Sequence, residues 1–362
     1  MTKAQLKRYA VPALGGLLLV ALSLGFQLTT NEFFKSLRDR MEWMVYDLRL
    51  KFTLPKKTAL HPIIAIVDID EKSLGVEGRW PWPRTKIADL ADKLFEQGVS
   101  LAVFDVFFVE PERNIALLVR DAIQAQYGDG QTALMNTLNQ VAPDFDGDAI
   151  LARALSGREI VLGHLFLNDT NSTAQLPPPL PIQDTRVLQR ATIPVWTGHT
   201  GTLPAIVAAA RRGGFTNGAP DADGNIRRSP LVLKHQGQIY PALALEASRA
   251  FLATDAARIK TALVGDDEVV EFISLDFYDI PTNGKGEVLV PYRGKSPAFQ
   301  YISATDVLHG NVPEGGLEGM IVFIGTTAQG LGDLRATPVG SIFPGVEIHA
   351  NFLAGILDQN IP

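Results

Sequence analysis

The 362 residues contain no cysteine. That absence removes thiolate metal sites, cysteine nucleophiles and disulfides together, and it assigns no redox compartment by itself. Histidine is scarce, with six residues and no His-x-x-x-His pair, so a zinc site lacks its usual donors. Positive charge is in deficit. Thirty-three Lys and Arg against 39 Asp and Glu leave a net charge of −6, and no basic stripe runs along the chain. Nucleic acid is therefore not an expected partner. A hydrophobic content of 46% is ample for a core, and the length accommodates two average domains or one large one.

Charge is also missing, locally, from residues 9–31, and Tyr9 to Leu28 is almost wholly apolar. Twenty helical residues at about 1.5 Å each cover roughly 30 Å, the thickness of a hydrocarbon core. The expectation is a single uncleaved membrane span over residues 9–30 after a cytoplasmic N-terminus of residues 1–8. The alternative is a cleaved signal peptide, but the run exceeds a signal core and Ser23 to Gln27 makes a poor cleavage site. Lys3, Lys7 and Arg8 before the span are partly balanced by Lys35, Arg38 and Arg40 after it, so charge bias alone only leans toward this orientation.

Residues 31–54 read as an amphipathic helix. Phe34, Leu37, Met41, Met44 and Leu48 step by three and four, heptad spacing over only about two heptads. Two readings stay open: a helix docked on its own domain, or a stalk continuous with the span that pairs with a second copy of the chain. Pro55 and Lys56-Lys57 then break the helix, and residues 55–362 form the main domain.

That domain is organised around His61 to Glu110. Ile63 to Val67 and Leu101 to Val106 are β-branched apolar runs, and Ile87, Leu90, Ala91, Leu94 and Phe95 recur between them at helical spacing before Gly98. Strand, crossover helix and strand predict a parallel βαβ unit. Helices are expected near Ile115–Gln126 and Thr132–Leu138. Asp144, Asp146 and Asp148 then precede a helix through Leu155. A calcium loop would need a glutamate where Leu155 stands, so helix capping is the better account. Ile160–Phe166 reads as a strand, Asn168–Pro181 as a proline-rich loop, Leu203–Arg212 as a helix and Asp223-Gly224 as a hairpin turn. Leu243–Leu252 is an amphipathic helix. Val269–Ile280 and Glu287–Tyr292 predict a hairpin around Asn283-Gly284. Met320–Ile324 is a buried strand, and the stretch from Pro344 opens a helix through Leu357. The fold class is α/β, with a mostly parallel central sheet and antiparallel hairpin additions.

In such a sheet ligands bind beyond the carboxyl ends of the strands. Asp68, Asp70, Asp105 and the loop Gly325-Thr326-Thr327 through Asp333 all follow strands and should converge there. Trp80, Trp82 and Arg84 offer rigid aromatic surface and a planar donor. Glu347, His349 and Asn351 open the last helix. For the tryptophans, packing competes with ligand contact. For Asp68, Asp70, Arg84 and Asp105, a buried polar network in which Arg84 pairs with one of the aspartates competes with a ligand or ion site.

Several of these pieces, in order, resemble the type-2 CHASE domain. They are Asp68-Ile69-Asp70 with Ser73-Leu74, the Trp-Pro-Trp-Pro-Arg loop, and Phe104-Asp105 with Phe108. Further on come Asp223-Gly224 with Arg227 and Pro230-Leu231, Gly325 to Ala328 through Asp333 and Thr337-Pro338, and Pro344 to Asn351. The resemblance spans about Met41 to Asp358. It implies a membrane-anchored sensory domain outside the cytoplasm, periplasmic or extracellular. Its partners would be the membrane, a second copy of the chain and an extracytoplasmic ligand or protein, and no cofactor is expected. In the family such a sensor passes its signal to a cytoplasmic adenylate cyclase or kinase, an output not contained in this chain, which is then no enzyme as given.

Two rivals remain. Asp68-x-Asp70 after a first strand resembles the haloacid-dehalogenase class of metal-dependent phosphatases, with Gly265-Asp266-Asp267 imitating its later acidic motif. Lys72 departs from that pattern, and Gly265 reads as following a helix end. The other rival is a structural domain that docks a protein and binds no small molecule.

Overall fold

The structure, a computed structural model, describes residues 3–55, 59–276, 278–331 and 333–362. The Lys56-Lys57 pair expected to help break the helix lies outside the described residues. The chain divides into two compact units, Met1–Leu54 and Pro55–Pro362.

The first unit is a helix pair, α1 (Lys3–Leu28) and α2 (Glu32–Thr53). Asn31 restarts the helix, its side-chain oxygen accepting from the Phe33 N–H at 3.0 Å. Arg38 donates to the carbonyls of Phe26 and Gln27, which the end of α1 leaves without helical partners. The pair is bent by 100° at this break. A stalk continuous with the first helix is therefore corrected to two capped helices. Among the described residues no single helix is long and apolar enough to cross a membrane. Ala13–Leu28 and Glu32–Thr53 meet that length and composition only together. No residue of α2 is buried, and Phe33, Met41, Met44 and Phe52 are exposed.

The second unit is built on an eight-stranded mixed sheet. Its strands are β1 (Ile64–Ile69), β2 (Leu101–Phe104), β3 (Ile160–Leu167), β4 (Ser172–Thr173), β5 (Gly198–Thr200), β6 (Gly213–Phe215), β7 (Gln300–Ser303) and β8 (Ile321–Thr326). Order β7-β1-β8-β2-β3 is parallel throughout, β6 adds parallel to β3, and β5 runs antiparallel to it. The mostly parallel α/β architecture stands. The βαβ unit does form, but β1 and β2 are not neighbours: β8, from the far end of the chain, hydrogen-bonds to both.

Strand alternation divides the core. Ala65, Val67, Ala102, Phe104, Ile160, Leu162, Val322 and Ile324 pack with helix Arg84–Glu96 and helix Gly147–Leu155, as their shared buried cluster records. The opposite parity meets the terminal helix, Gly345–Leu357, where a Cβ on Gly325 would stand 2.6 Å from the Val346 Cβ. Asp146 caps Gly147–Leu155 by accepting from the Ala149 N–H at 3.0 Å. The Asp223-Gly224 turn is present, with Gly224 at φ +85° and an antiparallel bridge between Ala219 and Arg228.

Two expectations fail here. Glu287–Leu289 pairs with Arg228–Pro230, not with the strand before Asn283. Asn283 Oδ1 accepts from the Lys285 and Glu287 N–H groups at 3.0 Å, folding a local loop in place of a hairpin turn. Gly265 follows no helix end: it joins strands Arg258–Val264 and Asp267–Leu275 with φ +65°.

Candidate functional site

The carboxyl ends of β2, β3 and β8 open into a crevice of about 700 Å³. β2 delivers Asp105, Val106 and Phe107, β3 Leu165, and β8 Thr326. Trp80, Pro81 and Arg84 form one wall, and Pro220, Gly224 and Ile226 of the Asp-Gly turn form another. The hairpin of Leu334–Thr337 with Gly340–Pro344 supplies Leu334, Arg335 and Ala336, and the terminal helix adds Gly345, Ile348 and His349.

Of the residues expected to converge, Trp80, Arg84, Asp105, Thr326, Asp333 and His349 do line this space. The others do not, and each has a different occupation. Asp68 ties the strand-end loop, accepting from the Thr327 N–H at 2.9 Å and the Thr327 hydroxyl at 2.5 Å. Burial pushes its pKa up to about 6 against those bonds. Asp70 caps the short helix Glu71–Glu77 through the Ser73 N–H at 2.8 Å and accepts from the Ser303 hydroxyl. Its burial opposes ionisation, but the Ser303 and Ser73 bonds outweigh it and hold the pKa below the ordinary value. Trp82 is buried, its indole N–H donating to the Gly78 carbonyl at 3.0 Å. Gly325 permits the close approach of Val346.

Glu347 is fully buried and accepts from the Ala298 N–H at 2.8 Å, the Tyr301 hydroxyl at 2.7 Å and the Ser296 hydroxyl. Asn351, one turn on, accepts from the Arg293 N–H at 2.9 Å and donates to the Glu347 carbonyl at 2.7 Å. Helical spacing divides these three: positions 347 and 351 share one face, while Gly345 and His349 share the crevice face.

The network expected around Arg84 is corrected. Its guanidinium pairs with Asp148 at 3.2 Å, donates to the Glu110 carbonyl at 3.1 Å and stacks 4.9 Å from the Phe108 ring centroid. None of Asp68, Asp70 or Asp105 is its partner, because the helix start at Arg84 faces the N-terminus of Gly147–Leu155, which carries Asp148. Glu112 completes this join by accepting from the Arg84 N–H.

The crevice gathers its own titratable groups. Asp105 opens onto the cavity but is otherwise surrounded by protein, and burial pushes its pKa up to about 7 while Arg335 pulls the other way. Burial, with Asp105 nearby, takes Asp333 up to about 6. Burial takes His349 down to about 4, Asp333 opposing and Arg335 reinforcing. Arg335 lies 3.3 Å from the Asp333 carboxylate. Sequence reasoning missed Arg335 and Phe107. The signal available was their position, Phe107 just beyond a strand end and Arg335 two residues from Asp333. Among the described residues no three His, Asp or Glu side chains meet in a way that would hold a metal ion.

One measurement checks the burial of Asp105. A carboxyl with a folded pKa near 7 and an ordinary value of 3.8 costs stability when ionised and regains it as pH falls through that window. The full shift would correspond to ~4 kcal/mol, an upper bound. Asp105→Asn is expected to stabilise the protein by about 1–2 kcal/mol at about pH 8, with the gain vanishing near pH 4, in denaturant titrations.

The domain is α/β with a crevice at the carboxyl ends of its strands, the place where parallel sheets of this kind bind ligands. The CHASE2 domain family model matches residues 17–362, and the chain belongs to this family. The family is one of extracytoplasmic sensory domains in signalling proteins, and not of catalysts. No curated protein and no solved structure matches the chain.

Proposed function

We propose that this protein is a membrane-anchored sensor outside the cytoplasm whose crevice admits a small ligand and whose N-terminal helices pass the signal to a cytoplasmic output. The cavity carries the reading. Its volume is in the range of small-molecule sites, its walls mix aromatic, aliphatic and charged groups, and they come from segments spread between Trp80 and His349. Anchoring rests on the uncharged run of residues 9–31, and the exposed apolar side chains of α2 are where a second copy would pair.

The phosphatase reading loses its support at the atoms it needs, since the Asp68 and Asp70 carboxylates are engaged by Thr327, Ser73 and Ser303 and neither lines the cavity. Protein docking remains the second reading, favoured by the exposure of Phe107 at the crevice.

The test is a thermal-unfolding screen of the full chain in detergent against water-soluble small molecules of every charge type. Stabilising ligands are expected, and Thr326→Trp, which fills the crevice, is expected to abolish every shift. Shifts that persist in the filled variant, or none in the wild type, would remove the crevice as a small-molecule site.

A further inference from the structure

The charged groups that line the crevice carry an inference about its ligand, one that rests on reading it as the ligand site. Its charged side chains are not equivalent. Arg84 is committed to Asp148, the Glu110 carbonyl and the Phe108 ring. Arg335 lies against Asp333, whose carboxylate partly neutralises the guanidinium charge. His349 is kept in its neutral form by burial. The Asp105 carboxylate takes no hydrogen bond from any described residue: the influences upon it are burial and the field of Arg335. An ionised carboxylate surrounded by protein without a donor is costly, and the group best placed to relieve it is a cation. Two aromatic side chains line the same cavity: Phe107, 37% exposed and two residues on from Asp105, and Trp80, whose ring rests edge-on against Trp82 at 5.7 Å between centroids.

We propose that the crevice takes a small organic cation, an amine or a quaternary ammonium, its charge beside Asp105 and its carbon framework against Trp80 and Phe107. Carboxylate and aromatic faces attract such a cation by complementary means, ion pairing and the ring quadrupole. Arg84 does not compete with this assignment, being committed to Asp148, and Arg335 makes its contact with Asp333 and acts on Asp105 only through its field.

A proton is linked to the binding. Asp105 projects from the end of β2. The titratable and charged groups that share its cavity are Asp333, Arg335 from the hairpin, His349 from the terminal helix and Arg84, and of these Arg335 and Asp333 interact with it electrostatically. A bound cation favours the ionised carboxylate, so at pH values below the raised pKa of about 7 the Asp105 proton must leave to solvent as the ligand enters. Affinity therefore falls as pH drops, by up to about tenfold per pH unit below that value, and levels above it. Asp333 titrates in the same range, so the observed midpoint belongs to the pair.

The experiment is calorimetric titration of the full chain in neutral detergent with four probes. They are choline, ethanolamine, the neutral choline isostere 3,3-dimethylbutan-1-ol, and malonate. At about pH 8 choline or ethanolamine is expected to bind at least about tenfold more tightly than the isostere, and whichever leads identifies the quaternary or the amine form. Asp105→Asn is expected to lose at least about tenfold in that affinity and most of its pH dependence, Asp333 supplying the remainder, and Trp80→Ala to lose affinity while keeping the pH dependence. Equal binding of the isostere, preferential binding of malonate, or undiminished cation binding by Asp105→Asn overturns the proposal and leaves the crevice a ligand site. Binding by none of the four also overturns it, and the wider screen with Thr326→Trp then decides separately whether the crevice binds anything.

Discussion

Glu347→Ala is expected to lower the unfolding free energy by about 3–5 kcal/mol in urea titrations followed by tryptophan fluorescence. The carboxylate is wholly buried and receives three donors, the Ala298 N–H and the hydroxyls of Tyr301 and Ser296. Truncation strands all three in the interior and leaves a void the size of the lost side chain. The Tyr301 phenol cannot escape by ionising, since burial, the largest of the influences that raise its pKa far above the ordinary value, remains in the variant. Glu347→Gln keeps an acceptor and is expected to cost about 1–2 kcal/mol. The residue looked like a site residue in the sequence, so ligand binding discriminates. A folded Glu347→Gln protein is expected to bind as the wild type does, and lost binding at unchanged stability would return Glu347 to the site.

Arg227→Met is expected to cost about 2–4 kcal/mol at neutral pH and to loosen one wall of the crevice. The guanidinium is buried and grips Asp223 through two bonds of 2.9 and 2.8 Å and Asp221 through one of 2.9 Å. This clamp fixes the turn that presents Pro220, Gly224 and Ile226 to the cavity. Both carboxylates keep some contact with water, which holds the loss below that for a fully buried pair. Its pH dependence has a definite sign. The Arg227 bonds, against burial, hold Asp223 well below its ordinary pKa of 3.8. The stability this confers is complete above 3.8 and is lost as pH falls below it, so wild type and variant should converge in acid. Denaturant titrations at neutral and acid pH check this, and a gap that widens in acid would contradict it.

The parts of the fold readable in the sequence are those with a strong local pattern. β1, β2, β3 and β8 are apolar β-branched runs, and helix Arg84–Glu96 repeats its apolar residues every three or four positions. The crevice followed from them, because strand ends of a parallel sheet mark the place whatever the strand order. The order itself was not readable: β8 enters between β1 and β2 through pairings that only the folded chain brings together. Partners were equally hidden. Nothing near Arg84 in sequence announces Asp148, and the same carboxylates that converge on paper are spent on local tasks, Asp68 on Thr327 and Asp70 on Ser73.

Strand Arg258–Val264 escaped notice because its burial is patchy, leaving no alternation to read. A cluster of His164, His199 and His235 around Phe166 and Tyr240 was invisible for a different reason, since the three lie on separate strands. The terminal helix gives the plainest lesson. Glu347, His349 and Asn351 are neighbours in sequence, yet a helix turns only the middle one toward the crevice.

The absence of native cysteine makes one measurement especially direct. Thr326→Cys places the only thiol of the chain at the end of β8, inside the crevice. Intact cells carrying this variant are treated with a small, membrane-impermeant, positively charged thiosulfonate and, separately, with its sulfonate counterpart. An open crevice outside the cytoplasm that favours cations predicts modification of the folded protein in unbroken cells, faster with the cationic reagent. Modification only after the membrane is breached, or only after the protein is unfolded, would contradict the account.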